Sequence, residues 1–385
     1  MAETRKASRF IVPVAVAGVA AATIGLVPAL AASGDPDLPE ITAQQLIEKI
    51  AASDTQTLSG TFRISTDLGL PAFGSLMPGL GGGGGGSSAD PSARLTELVS
   101  GTHTLRVAAD GPERQRLTLL DGSDEYSLIH NGADVWAYDS KSNEAFHEKA
   151  PEGAGAPEDK DVPTTPKELA DEVLKAAGDT TSITVGGTAK VAGRDAYQLV
   201  IKPKQAGSTV ESVKIAVDAA NGTPLKFTLA SVEGGKPVVD AGYTKVDFAR
   251  PAASEFTFKA PAGAKVTEGG AEKGAGGEKL PEEFEKGLGD LEKGFGDLGE
   301  GFNVIGEGWT TIAKLDTGAP APRTDEAPKE FQGLLDSLGD KVSGKFGSGT
   351  LFTTKLVNAL LTDDGKVYVG AVTKDALVEA ANAGR

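Results

Sequence analysis

Apolar and polar residues alternate with a period of two over long stretches of the chain. In Val213–Leu229, Val213, Ile215 and Val217 point one way, and Ser212, Lys214 and Asp218 the other. Beyond Asn221-Gly222, Leu225, Phe227 and Leu229 alternate against Lys226 and Thr228. Period-two patterning on both sides of an Asn-Gly pair predicts a β-hairpin. Tyr197, Leu199 and Ile201 carry the same alternation upstream. Strands of this kind present one apolar face, which needs a cover, and one polar face to water.

The same reading predicts a strand at Thr57–Thr66, with Phe62 and Ile64 on one face. A meander follows at Thr104–Ala108, Arg114–Leu120, Glu125–His130, Asp134–Tyr138 and Glu144–Glu148. Asp110-Gly111, Asp121-Gly122 and Asn131-Gly132 supply the turn chemistry between its runs. Strands resume at Ile183 and continue to Phe258. About eleven strands in series must curl or pack against something.

Helical periodicity marks two covers. Leu38–Ser53 carries an apolar stripe of Leu46, Ile47 and Ile50, with Thr42 and Gln45 spaced as a capping box. A second helix opens at Thr165, with Pro166 in its first turn and Glu168 completing a capping box. Leu169, Val173 and Leu174 form its apolar face, and Gly178 stops it.

The remaining stretches divide the chain. Arg5, Lys6 and Arg9 precede an uncharged run from Phe10 to Ala32 that contains Ala29-Leu30-Ala31. A basic start, an apolar stretch and a small-residue cleavage site describe an export signal. The run is also long enough to span a bilayer, so residues 1–32 read as a cleaved signal peptide or a retained anchor. Either way the rest is expected outside the cytoplasm, secreted or held to the cell membrane by residues 10–32. The folded unit is expected over 38–268, interrupted by a Gly-rich insertion at 68–92. The insertion reads as a flexible loop or as an apolar lip of Leu70, Phe73, Leu76, Met77 and Leu80.

Residues 269–301 hold two copies of one heptad, Glu285–Leu291 and Glu292–Leu298, each with two glycines. They read as a low-complexity linker or as a segment that folds on a partner. Residues 302–385 read as a small α/β region. Trp309–Lys314 and Val367–Val372 are its expected strands. Its expected helices are Lys329–Leu338, Lys355–Leu361 and Lys374–Ala381, the last capped by Thr373. The fold class is thus α+β.

Composition narrows the chemistry. With no cysteine there is no disulfide, thiol nucleophile or cysteine metal site. A formal net charge of −16 argues against a nucleic-acid partner. His103, His130 and His147 fall on or beside three separate strands, and none has the paired spacing of a zinc motif. No Gly-x-Ser-x-Gly elbow is present, and Gly344–Thr350 has the wrong order for a phosphate loop. Neighbouring acids such as Asp363-Asp364 do not converge on a helix. No catalytic constellation, metal site or cofactor motif emerges, and a non-enzymatic role is expected.

The meander segment Tyr126–Asp139, the run Ala192–Pro203, the hairpin core Val213–Leu225 and the exit Phe256–Val266 together resemble the bacterial lipoprotein carrier LolA. The resemblance extends to its relatives, among them the regulator RseB and the DUF2092 group, over about 38–266. It implies a curved antiparallel half-barrel whose helices plug an apolar cavity for lipid or lipoprotein acyl chains. It brings no catalytic residues.

The candidate cavity residues are Leu105, Val107, Leu117, Leu119, Trp136, Tyr138 and Phe227, with Phe73, Leu76 and Met77 at its lip. Leu105, Val107, Leu117 and Leu119 are neighbours if their strands pair in order. Trp136 and Tyr138 share a face that either packs in the core or lines the pocket. The expected function is an exported acyl-chain carrier. The alternative is an envelope-side sensor that binds a membrane protein.

Overall fold

The computed structural model describes residues 35–69, 101–149, 171, 174–175, 177–268, 302–316 and 339–384. The first sheet contains β1 (Thr57–Thr66), β2 (Gly101–Asp110), β3 (Arg114–Asp121), β4 (Asp124–Asn131), β5 (Asp134–Asp139) and β6 (Glu144–Lys149). It continues with β7 (Thr181–Val191), β8 (Arg194–Pro203), β9 (Val210–Asp218), β10 (Pro224–Ser231), β11 (Val239–Asp247) and β12 (Lys265–Glu268). Its order is β12-β6-β5-β4-β3-β2-β1-β11-β10-β9-β8-β7, a 12-stranded, curved and unclosed sheet. The helix α1 (Ala43–Ala51) precedes it.

The meander forms as the alternation predicts, with short connections between its strands, of two residues each at β3–β4 and β4–β5. Gly122 and Gly132 sit at φ 60° and 63°, a conformation open to glycine at little steric cost. The predicted hairpin forms as β9–β10, with Ile215 opposite Phe227 and Val213 opposite Leu229. Asp218 shapes its loop by accepting from the Ala220 and Asn221 amides at 2.8 and 3.1 Å. β1 joins the two halves of the sheet, pairing with β2 on one side and β11 on the other.

Three local expectations change. Phe258 does not end a strand: β11 stops at Asp247, and a 3₁₀ turn at Ala253–Phe256 leads to β12. β12 runs parallel to β6, whereas every other pairing in this sheet is antiparallel. A parallel neighbour cannot follow through a tight turn: β7–β11 lie between the two strands in the chain, and the crossover segment 248–264 brings the chain from β11 to β12. The expected helix Lys355–Leu361 is instead a turn followed by a strand.

The second sheet contains β13 (Phe302–Ile305), β14 (Ile312–Asp316), β15 (Gly339–Gly344), β16 (Gly347–Phe352), β17 (Asn358–Thr362) and β18 (Lys366–Gly370), in the order β13-β14-β18-β17-β16-β15. Gly308–Thr310 is a 3₁₀ turn, so the expected strand there begins at Ile312. The final helix α2 (Lys374–Ala383) is capped by Thr373 as expected, and it buries Leu377, Ala380 and Ala381. The expected helix Lys329–Leu338 lies outside the described residues.

The two sheets are joined through the β8–β9 loop. Ser208 and Val372 form a β-bridge, Thr209 N–H donates to Ala371 O at 3.0 Å, and Thr373 N–H to Gly207 O at 2.8 Å. Lys355 pairs with Asp67 at 2.6 Å, and the Trp309 indole donates to Thr181 Oγ1 at 2.7 Å. Among the described residues no helix is long and apolar enough to cross a membrane. The expected signal or anchor, residues 1–32, lies outside them.

Candidate functional site

Directly opposed residues of an antiparallel pair share a face, so the register defines the site. α1 buries Leu46 and Ile47 against Tyr197, Leu199 and Val217. Its orientation is set at both ends. Thr42 and Gln45 form a complete capping box at its start. At its end the Lys49 carbonyl lies against Gly222 of the β9–β10 loop, and a Cβ on Gly222 would come within 2.2 Å of that oxygen. Of the second expected helix, Asp171, Leu174, Lys175 and Ala177 are described and helical. Leu174 packs on the same cluster, and Gln44 Nε2 donates to Asp171 Oδ1 at 3.0 Å.

From this seat one apolar face runs across the sheet. Leu199 opposes Ile215, Ile215 opposes Phe227, Phe227 opposes Ala241, and Ala241 opposes Ile64. Beyond β1, Leu105 opposes Leu119 and Leu119 opposes Tyr126. Val107 opposes Leu117, and the row continues through Leu128 and Ala137 to Phe146. Leu105 and Leu119 are sealed at 1% and 7% exposure. Val107, Leu117, Leu128, Phe146 and Phe227 are only partly buried, packed against that cluster. They form a continuous apolar surface, and α1 sits at the β7–β9 end of it.

The register brings Leu105, Val107, Leu117, Leu119 and Phe227 onto this face but places Trp136 and Tyr138 on the other. Trp136 opposes Ile129, which opposes Arg116, and Tyr138 opposes Ser127. The reason is parity: Ala137 occupies the inward position of β5. On that outer face the crossover packs as a strap. Phe256 is 1% exposed, and the Phe258 ring lies 5.2 Å from Trp136 and 5.4 Å from Tyr138. Arg116 donates to the Glu255 carbonyl at 3.2 Å. Phe73, Leu76 and Met77, with the rest of the expected lip, lie outside the described residues.

Tyr243, which the sequence reading did not single out, completes the helix-bearing face. It meets the expected Phe62 edge to face at 4.7 Å. The Tyr243 hydroxyl is buried with no hydrogen-bond partner among the described residues, and burial pushes its ionisation up. Alternation within Tyr243–Val246 is broken by a bulge opposite Thr61/Phe62, which hid its inward register. Among the described residues no group of three His, Asp or Glu side chains is placed to hold a metal ion.

The fold thus defines a curved, unclosed sheet with one apolar face and a helix seated at one end. No family model and no curated protein matches the chain. Solved structures are similar to it, LolA superfamily members and MucB among them. MucB of Pseudomonas aeruginosa, solved with MucA, is 16% identical, with 88% of this chain and 96% of that one covered at a TM-score of 0.38. An uncharacterized conserved protein from Thermus thermophilus is 12% identical over 59% of this chain and 99% of its own, at 0.31. A LolA superfamily protein from Nitrosomonas europaea is 12% identical over 57% of this chain and 99% of its own, at 0.22.

Proposed function

We propose that the protein is an extracytoplasmic, non-enzymatic carrier that binds lipid or lipoprotein acyl chains on the helix-bearing face of its large sheet. The observation that supports this reading is the unbroken apolar row from Val107 through Leu117 and Leu128 to Phe146, half-buried and without a polar side chain. An acyl chain is held by the area it buries, at about 0.8 kcal/mol per CH₂ removed from water. No directional chemistry is needed for this, which fits a face without ionisable groups in that row.

A fluorescent fatty-acid probe tests the reading. Leu117→Glu puts a charge at the centre of the row and is expected to abolish probe uptake, whereas Lys245→Glu, on the opposite face, is expected to leave it unchanged. Equal uptake by both variants, or none by the unaltered protein, contradicts the proposal.

The second reading is a sensor that carries a membrane-protein partner. The observation favouring it is the backbone pairing of the second sheet to the β8–β9 loop, which gives the chain two sheets fixed against each other for a partner to bridge.

A further inference from the structure

The strap that crosses the outer face ends in β12, a four-residue strand at the sheet edge whose side chains are all exposed. Among the described residues β12 pairs only with β6, and short exposed edge elements open at low cost. One residue ties it across two strands. His147 of β6 places Nδ1 2.7 Å from Glu268 Oε2 on β12, and Nε2 2.8 Å from Asp134 Oδ1 on β5.

The chemistry of that arrangement selects a protonation state. An ionised carboxylate only accepts hydrogen bonds, and a neutral imidazole has one N–H to give. A neutral His147 would therefore turn a lone pair on one of the two carboxylates. Only the imidazolium donates to both, and both bonds are then charge-assisted. The Trp136 indole lies parallel beneath it, centroids 4.0 Å apart and planes 16° apart, a seat that also favours a cation. We propose that His147 is a proton-operated latch: charged, it clamps β12 and the strap to the outer face, and neutral, it releases them.

Asp134 and Glu268 are the charges that favour the imidazolium. On β5, Asp134 faces His147, with Lys149 of β6 as its cross-strand neighbour. On β12, Glu268 faces it, while Lys265 at the other end pairs with Glu144 at 2.7 Å. Of the strap's charged groups, Glu255 offers its carbonyl to Arg116 of β3, and Lys259 follows Phe258. Beyond Trp136 the same face of β4 presents the apolar Ile129.

Burial of the ring opposes the charge, and the bonds to Asp134 and Glu268 outweigh it, so the imidazole titrates above its ordinary value of 6.5. A raised value fixes the sign. The latch contributes fully below the unfolded imidazole value, about 6.5, and is lost as pH rises through the folded one. This inference stands apart from what the apolar face binds.

Two readouts on the full chain test it. Nitrogen-15 NMR is expected to show both His147 ring nitrogens staying protonated to a higher pH than the ordinary imidazole value of 6.5 allows. Hydrogen-exchange protection of the Lys265–Glu268 amides, corrected for intrinsic rates, is expected to fall severalfold as pH rises through that titration. In Glu268→Gln the side-chain amide can donate to a neutral ring nitrogen while Asp134 keeps the N–H. The pH step in protection is then expected to flatten. A His147 titration at or below the ordinary imidazole value, or an undiminished step in Glu268→Gln, overturns the proposal.

Discussion

Asp218 does the most structural work of any single side chain in the β9–β10 hairpin. It is fully buried, pairs bidentately with Arg194 and accepts two loop amides. Arg194 in turn lies 4.8 Å over the Phe248 ring. Burial disfavours the charged carboxylate, yet the Arg194 bond and the loop amides more than offset it and hold its pKa below the ordinary carboxylate range. Arg194 is a third exposed, so water screens it once its partner is gone, and the loss falls mainly on the loop amides left without an acceptor, at about 1–3 kcal/mol. Asp218→Ala is therefore expected to lower the urea midpoint by a corresponding amount. The depressed value gives this contribution above the unfolded carboxylate pKa of about 4, and it is lost as pH falls through the folded value. A pH series of urea melts in which the variant and the unaltered protein converge in acid checks the sign. Little of this was legible beforehand. Asp218 read as a polar position of an alternating strand, and nothing in the alternation says which buried polar groups meet.

At the scale of elements, local signals carried most of what was legible. Glycine turns and period-two runs placed the meander, and the capping box placed α1. Two features escaped because their causes are not local. The parity of Trp136 depends on which residue of β5 faces Phe146 and Leu128 across the ladder, so the alternation gave the pair Trp136 and Tyr138 a common face without saying which. The run Lys355–Leu361 has an apolar spacing that suits a helical turn or a strand. The strand wins because Asn358 Nδ2 donates to Val372 O at 2.8 Å, and β17 pairs with both β16 and β18. The contact of α1 with the sheet makes its own prediction. Gly222 sits at φ 78° against the Lys49 carbonyl, so Gly222→Ala adds both backbone strain and a clash. The variant is expected to loosen α1, seen as faster exchange of the Leu46–Ile50 amides, with the meander amides unchanged. Unchanged protection in α1 would show that the helix is held without that contact.

For the whole molecule, the two faces of the large sheet have separate tasks. The outer face at β3–β6 is closed by the strap, whose aromatic anchors settle on Trp136 and Tyr138. The helix-bearing face keeps a half-buried apolar row from Val107 to Phe146. The second sheet is tied to the β8–β9 loop, at the end where α1 packs, by backbone bonds that leave this row untouched. Sequence alone reached the apolar helix-bearing face, because alternation reports faces directly, but expected the other face to meet water, whereas at β3–β6 it is covered by the strap. It could not show the strap, since a crossover that packs by Phe256 and Phe258 has no periodicity to read. Native mass spectrometry of the full protein, purified without detergent, tests the acyl-carrier reading most directly. The account predicts added mass that fragments to acyl-containing lipid, and that is lost in Leu117→Glu. A bare protein mass that takes up no added phospholipid or lipopeptide would contradict it.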